Sequence, residues 1–203
     1  MKNRISVIVL AFAALLLAAS CASAPKVARV DSETQTDLSG YWNDTDVRIV
    51  CEGFVNECLS SPRVEAFAQK KGDLPIVIVG TFRNDSDEHI DTSIISKKME
   101  IAIVNSGKAD FVASKSERSE IRTERQEQQT FASEDTAKSI SNETGADLML
   151  TGSVKTMVDK AGKTSTRTYF VYAELIEVET NKKIWSGENS DIKKLIKTPG
   201  AKF

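Results

Sequence analysis

Three cysteines and one histidine are the residues of this chain best suited to nucleophilic or acid–base chemistry. Cys21 follows Lys2 and Arg4, an uncharged apolar run from Ile5 to Ala19, and Ser20. A positive start, an apolar middle and small residues before a cysteine read as an export leader, residues 1–20, closing on a lipobox-like site. The chemistry expected at Cys21 is lipidation: its thiol carries a diacylglycerol, and the new amine is open to acylation. The run is short for a spanning helix, which needs about 20 apolar residues. A retained membrane anchor and cleavage without lipidation are the alternatives. Residue 18 is Ala where lipoboxes usually carry Leu, and Ala22 rather than Asp follows the cysteine. By analogy with enteric bacteria, where Asp at that place favours inner-membrane retention, Ala22 tilts toward the outer membrane.

Cys51 and Cys58 are seven residues apart. On a helix they share a face but lie about 10.5 Å apart along the axis, too far for a disulfide, whose Cα atoms must come within about 7 Å. They read as small buried hydrophobes, with a locally unwound disulfide or a redox role as alternatives. His89 sits between Glu88 and Asp91 in a polar stretch. It has the chemistry of a general base, yet it reads first as a turn residue bonding backbone groups near a helix start. Gly-x-Ser-x-Gly, His-Glu-x-x-His, Cys-x-x-Cys, Gly-x-Gly-x-x-Gly and P-loop patterns are absent. No catalytic residue, metal ligand or cofactor is therefore expected, and the chain reads as a non-enzyme. The balance of 27 Lys and Arg against 29 Asp and Glu, mixed along the chain, argues against a nucleic-acid surface.

The elements that would hold these residues begin after a polar segment. Residues 21–40 read as a lipidated flexible tether, whose polar stretch from Ala22 to Leu38 reaches about 60–65 Å at most. Asn43, Asp44, Thr45 and Asp46 are N-cap candidates, and Val47, Val50, Cys51, Phe54 and Cys58 then mark an amphipathic helix ending before Ser60-Ser61-Pro62. Arg63 to Lys70 reads as a short helical turn and Leu74 to Phe82 as a buried strand. Asp91-Thr92-Ser93 opens a helix that Gly107 closes. Ala109 to Ala113 is a short strand, Ser116 to Thr130 a charged helix with a solvated face or a docking surface, and Ser133 to Thr144 another helix. Ala146 to Val158 is a strand, Asp159 to Lys163 a turn, and Thr164 to Val178 a long strand whose Tyr169, Val171, Ala173 and Leu175 share the apolar face. A turn at Thr180-Asn181-Lys182 leads to a last strand, Lys183 to Gly187. The tail with Lys193, Lys194, Lys197 and Lys202 reads as solvated. The order implies an α/β fold: a single mixed β-sheet flanked by helices, ending in a β-meander.

Tyr41-Trp42-Asn43-Asp44-Thr45-Asp46, Val79-Gly80-Thr81-Phe82-Arg83-Asn84, Glu88-His89-Ile90-Asp91-Thr92 and Asn105-Ser106-Gly107-Lys108 resemble segments of the penicillin-binding-protein activator LpoB family. Gly145-Ala146-Asp147, Thr151-Gly152-Ser153 and Glu179 to Gly187 do so too. The resemblance implies an LpoB-like α/β domain over residues 41–203, similar to the N-terminal domain of TolB. It also implies a non-catalytic outer-membrane lipoprotein, anchored through Cys21 and facing the periplasm, whose partner is a bifunctional penicillin-binding protein in peptidoglycan synthesis. No partner-contact residues carry over. The tether is shorter and poorer in proline than that of enteric members. A structural or assembly lipoprotein of the envelope built on the same domain is the alternative.

Overall fold

The computed structural model describes residues 27–31, 34–132, 138 and 143–198. Cys21 with its leader, and most of the helix expected over Ser133 to Thr144, lie outside them. The chain divides into residues 1–34 and 35–203. In the first, the Thr34 N–H donates to the Asp31 carbonyl at 3.1 Å; the second carries the folded elements.

Helix α1 runs Asp44–Leu59 behind Asn43. The Asn43 side chain accepts from the Asp46 N–H at 3.1 Å, and Asp46 accepts from the Asn43 N–H at 2.9 Å. This reciprocal box satisfies two of the orphan donors of a helix start. Val47, Val50, Cys51, Phe54 and Cys58 all face the core, as their spacing predicts. Helix α2, Pro62–Lys71, is a full ten residues rather than a turn; Pro62 suits its first turn. Helix α3, Thr92–Ser106, starts at the Asp91 cap and buries Ile95, Met99 and Ile103 at four-residue steps. It stops at Gly107, whose φ of 64° is a left-handed conformation that side chains disfavour.

The strands are β1 (Ile76–Asn84), β2 (Asp110–Phe111), β3 (Leu148–Ala161), β4 (Thr164–Glu177), β5 (Lys183–Asn189) and β6 (Lys193–Lys197). Among the described residues they form one mixed sheet in the order β2-β1-β3-β4-β5, with β6 also on β4. β1 is parallel to β2 and β3, whereas β3, β4 and β5 form the antiparallel meander. The expected turn at Asp159 to Lys163 is tighter than its sequence suggests: Ala161 pairs with Thr164, leaving two residues between the strands. The expected Ala109 to Ala113 strand shrinks to two paired residues. Helices α1 and α3 pack on each other, α1 against β4 and β5, α3 against β1 and β2. Beneath them lie Val77, Leu148, Leu150 and Val154 with Tyr169, Val171, Ala173 and Leu175, all at most 1% exposed. Helix α4, Lys115–Phe131, buries none of its side chains. It is a solvated helix, capped by Ser114 and Glu117 and tied by a Lys97–Glu117 pair at 3.1 Å.

The tail after Asp191 is not loose. Lys193 to Lys197 pairs with Thr168 to Thr164. β5 covers β4 only from Val171 to Ile176, so the first part of the fourteen-residue β4 keeps unpaired backbone groups that β6 satisfies.

Gly152 sits where two strands and an aromatic ring converge. A Cβ there would run into the Tyr172 carbonyl oxygen and the Phe82 ring. Gly152→Ala should therefore lower stability by about 1–3 kcal/mol, read as a lower urea midpoint with an unchanged m-value. Cys51 and Cys58 are buried and free, and burial pushes both thiols up to about 12. In a Cys21→Ala chain a thiol reagent at pH 8 should leave both unmodified until denaturant is added, and then titrate two.

Candidate functional site

Arg167 and Tyr169 lie on the same side of β4 as Val171 and Ala173, the side that faces the core. A guanidinium there needs a carboxylate. Glu88, in the loop between β1 and α3, supplies it. The Arg167 side chain is 12% exposed and that of Glu88 7%, and they are in direct contact. The Tyr169 hydroxyl donates to Glu88 Oε1 at 2.6 Å, and the Trp42 N–H donates to Oε2 at 3.1 Å. Arg167 also reaches Asp87 at 3.2 Å. The Thr156 hydroxyl, at 2.5 Å, and then Arg167 hold the Asp87 carboxyl below its ordinary value. The loop itself is held by Asn84, whose amide donates to the Glu88 carbonyl at 2.7 Å.

A second ion pair lies beside the first. Lys194 on β6 meets Asp46 at 2.6 Å, and both side chains are at least nine-tenths buried. Lys194 also donates to the Tyr41 carbonyl at 2.6 Å and reaches Asp37 at 3.2 Å. Burial raises the Asp46 carboxyl, outweighing Lys194 and the Asn43 N–H. Between the pairs runs a strap, Asp37 to Trp42. The Gly40 carbonyl lies 3.3 Å from the Tyr169 hydroxyl, Tyr41 lies under the Arg167 guanidinium at 5.1 Å, and Trp42 tilts against Tyr169 with centroids 5.2 Å apart.

The strap and the Glu88 loop form two walls of a groove of about 580 Å³. Trp42, Val47, Ile90 and Ile94 supply its apolar lining. Asp44, Asp87, Asp91, His89 and Lys98 complete it. The Ser93 side chain holds the Asp91 carboxyl below its ordinary value. The starts of α1 and α3 converge here, which places carboxylates beside an exposed apolar surface. His89 is an exposed groove residue; the loop's backbone bonds come from Asn84 and Ser86 rather than from the imidazole. Cys51 and Cys58 belong to the core. Among the described residues no cluster of His, Cys, Asp and Glu has metal-site geometry, and no helix is long and apolar enough to cross a membrane.

Trp42, Glu88, Arg167, Tyr169 and Lys194 were not legible as a group. One trace existed: Arg167 shares the parity of Tyr169, Val171 and Ala173, so a charge on the apolar face of β4 required a distant carboxylate. Nothing local marked which one.

The fold is that of a two-layer α/β domain with a groove at its edge. The sequence model of the peptidoglycan-synthase activator LpoB matches residues 46–190, and the chain belongs to that family. The match spans α1 to β5; the strap and β6 lie outside it. Among solved structures, the chain is similar to the LpoB C-terminal domain from Escherichia coli, with 18% identity over 56% of this chain and 79% of that one, at a TM-score of 0.36. It is also similar to the NMR structure of E. coli LpoB, with 15% identity over 88% and 86% and a TM-score of 0.40. Lipoprotein GNA1162 from Neisseria meningitidis is 15% identical over 63% and 88%, with a TM-score of 0.36. No curated protein matches the sequence.

Glu88→Ala would leave Arg167 only the more exposed Asp87 carboxylate and strip the Trp42 N–H of its acceptor, which puts the cost at the low end of the range for a broken buried pair. Breaking one side of a buried pair costs about 3–5 kcal/mol, whereas Tyr169→Phe, which removes one donor, should cost about 1 kcal/mol. Urea unfolding of the two variants would check the order.

Proposed function

We propose that this protein is an envelope lipoprotein, anchored through Cys21, whose domain docks on a bifunctional penicillin-binding protein and raises its peptidoglycan synthesis. The observation that carries the reading is the family match over residues 46–190. The groove supports it, because it sets exposed apolar surface beside charge, as a surface that a protein partner covers does. The domain performs no chemistry of its own. It acts by binding the synthase conformation that works faster, and only a preference for that conformation shifts the partner's population. Residues 21–40 act as the tether and the lipid as the device that raises local concentration. The anchor faces the periplasm from the outer membrane.

Crosslinking in intact cells followed by purification of this chain tests the partner. A penicillin-binding protein should dominate the captured set. A set without one, made up instead of components that export a surface polymer, would overturn the reading in favour of an assembly lipoprotein. Cys21→Ala should leave the domain folded and able to bind the synthase in solution while impairing cell-wall synthesis in the cell. Full activity from the unanchored form would show that the lipid is dispensable.

A further inference from the structure

We infer that the groove between the Trp42 strap and the Asp87–Ile94 segment takes an extended stretch of a protein partner, one that presents an apolar side chain next to a Lys or Arg. Taking the docking reading above as given, that stretch belongs to the synthase.

The lining sets the first requirement. Trp42, Val47, Ile90 and Ile94 offer apolar surface in a concavity of about 580 Å³, enough for one large side chain with its flanking backbone. Ile94 is 50% exposed although it stands at the start of a helix whose Ile95 and Met99 are fully enclosed. An apolar residue left half in water at the mouth of a groove is the kind of anchor point that a partner's side chain covers.

The rim sets the second. Asp44, Asp87, Glu88 and Asp91 bring four carboxylates to the groove. Against them stand Lys98 on the rim and Arg167 behind Glu88. The N-terminal ends of α1 and α3 contribute only partial positive charge, and the Asn43–Asp46 box and Asp91 already cap them. Hydrogen bonds from Thr156 and Ser93 keep Asp87 and Asp91 ionised. The balance favours a cation beside the apolar anchor, and a carboxylate in the same place would meet repulsion.

The protein carries its own reporter. Of its two tryptophans, Trp42 lines the groove and Trp185 is buried against Phe54. The full chain carrying Cys21→Ala is titrated with three capped hexapeptides: one with a central Phe between two Lys, one with Phe between two Glu, and one with Ala between two Lys. The Lys-Phe-Lys peptide should shift Trp42 fluorescence saturably and bind at least tenfold more tightly than either control, with an affinity that falls as salt rises. Ile94→Asp and Asp44→Lys, both at exposed positions, should each weaken it at least tenfold while keeping the native far-UV circular dichroism and a cooperative urea transition. Equal binding of the Glu-flanked peptide overturns the inference. So does a response to chitotetraose with none to any peptide, which would make the groove a glycan site. Loss of synthase capture from crosslinked cells on Ile94→Asp supports the assignment, and undiminished capture overturns it while leaving the docking reading intact. A wild-type chain that binds the Lys-Phe-Lys peptide but captures no penicillin-binding protein overturns the docking reading alone.

Discussion

The charge on the dry side of β4 is the constraint from which the rest of this edge follows. Arg167 occupies a position that Tyr169, Val171 and Ala173 make apolar, so its guanidinium must be met by an anion that is itself shielded. Glu88 meets it, and the remaining acceptor capacity of Glu88 is filled by the Tyr169 hydroxyl and the Trp42 N–H. One carboxylate thus fixes a loop, a strand and the chain entering the domain. Buried polar groups that share partners in this way make a specific arrangement, although the Arg167 Nε is buried without a partner. The groove walls inherit that arrangement because both are built from residues that Glu88 or its neighbours hold.

The length of β4 is the second determinant. Fourteen residues pair fully with β3 on one side but with β5 over only part of the other. The unpaired portion recruits β6, and β6 carries Lys194 to Asp46. That contact turns the N-terminal box of α1 into part of a larger network: Asp46 accepts from the Asn43 backbone and from Lys194. Helix start, strap and final strand are therefore stabilised together rather than one by one.

Local pattern was enough for most of the fold and little of the site. Helices α1 and α3 were legible because their caps and apolar spacing lie within a few residues of each other. The faces of β4 were legible because alternation is local. The lost features are those whose partners are far apart in the chain. Lys194 and Asp46 are 148 residues apart, and Arg167 and Glu88 are 79 apart. A basic tail without its acidic partner in view looks solvated, and Tyr41-Trp42 before a helix looks like a mere lead-in. The stretch from Asp159 looks like a turn because its composition is polar, yet cross-strand pairing with β4 carries it as strand to Ala161.

The strap has a mechanical meaning. Tension arriving from the N-terminal side enters this domain at Asp37, and it meets first the bonds to Lys194, then the Gly40, Tyr41 and Trp42 contacts. The Asp37 carboxylate also accepts from the Asn43 side-chain amide at 2.8 Å, so the cap of α1 shares the load with the strap. The strap forms one wall of the groove. A taut chain would therefore pull on the groove wall and the start of α1 together, which makes this edge a place where force and binding act on the same few bonds.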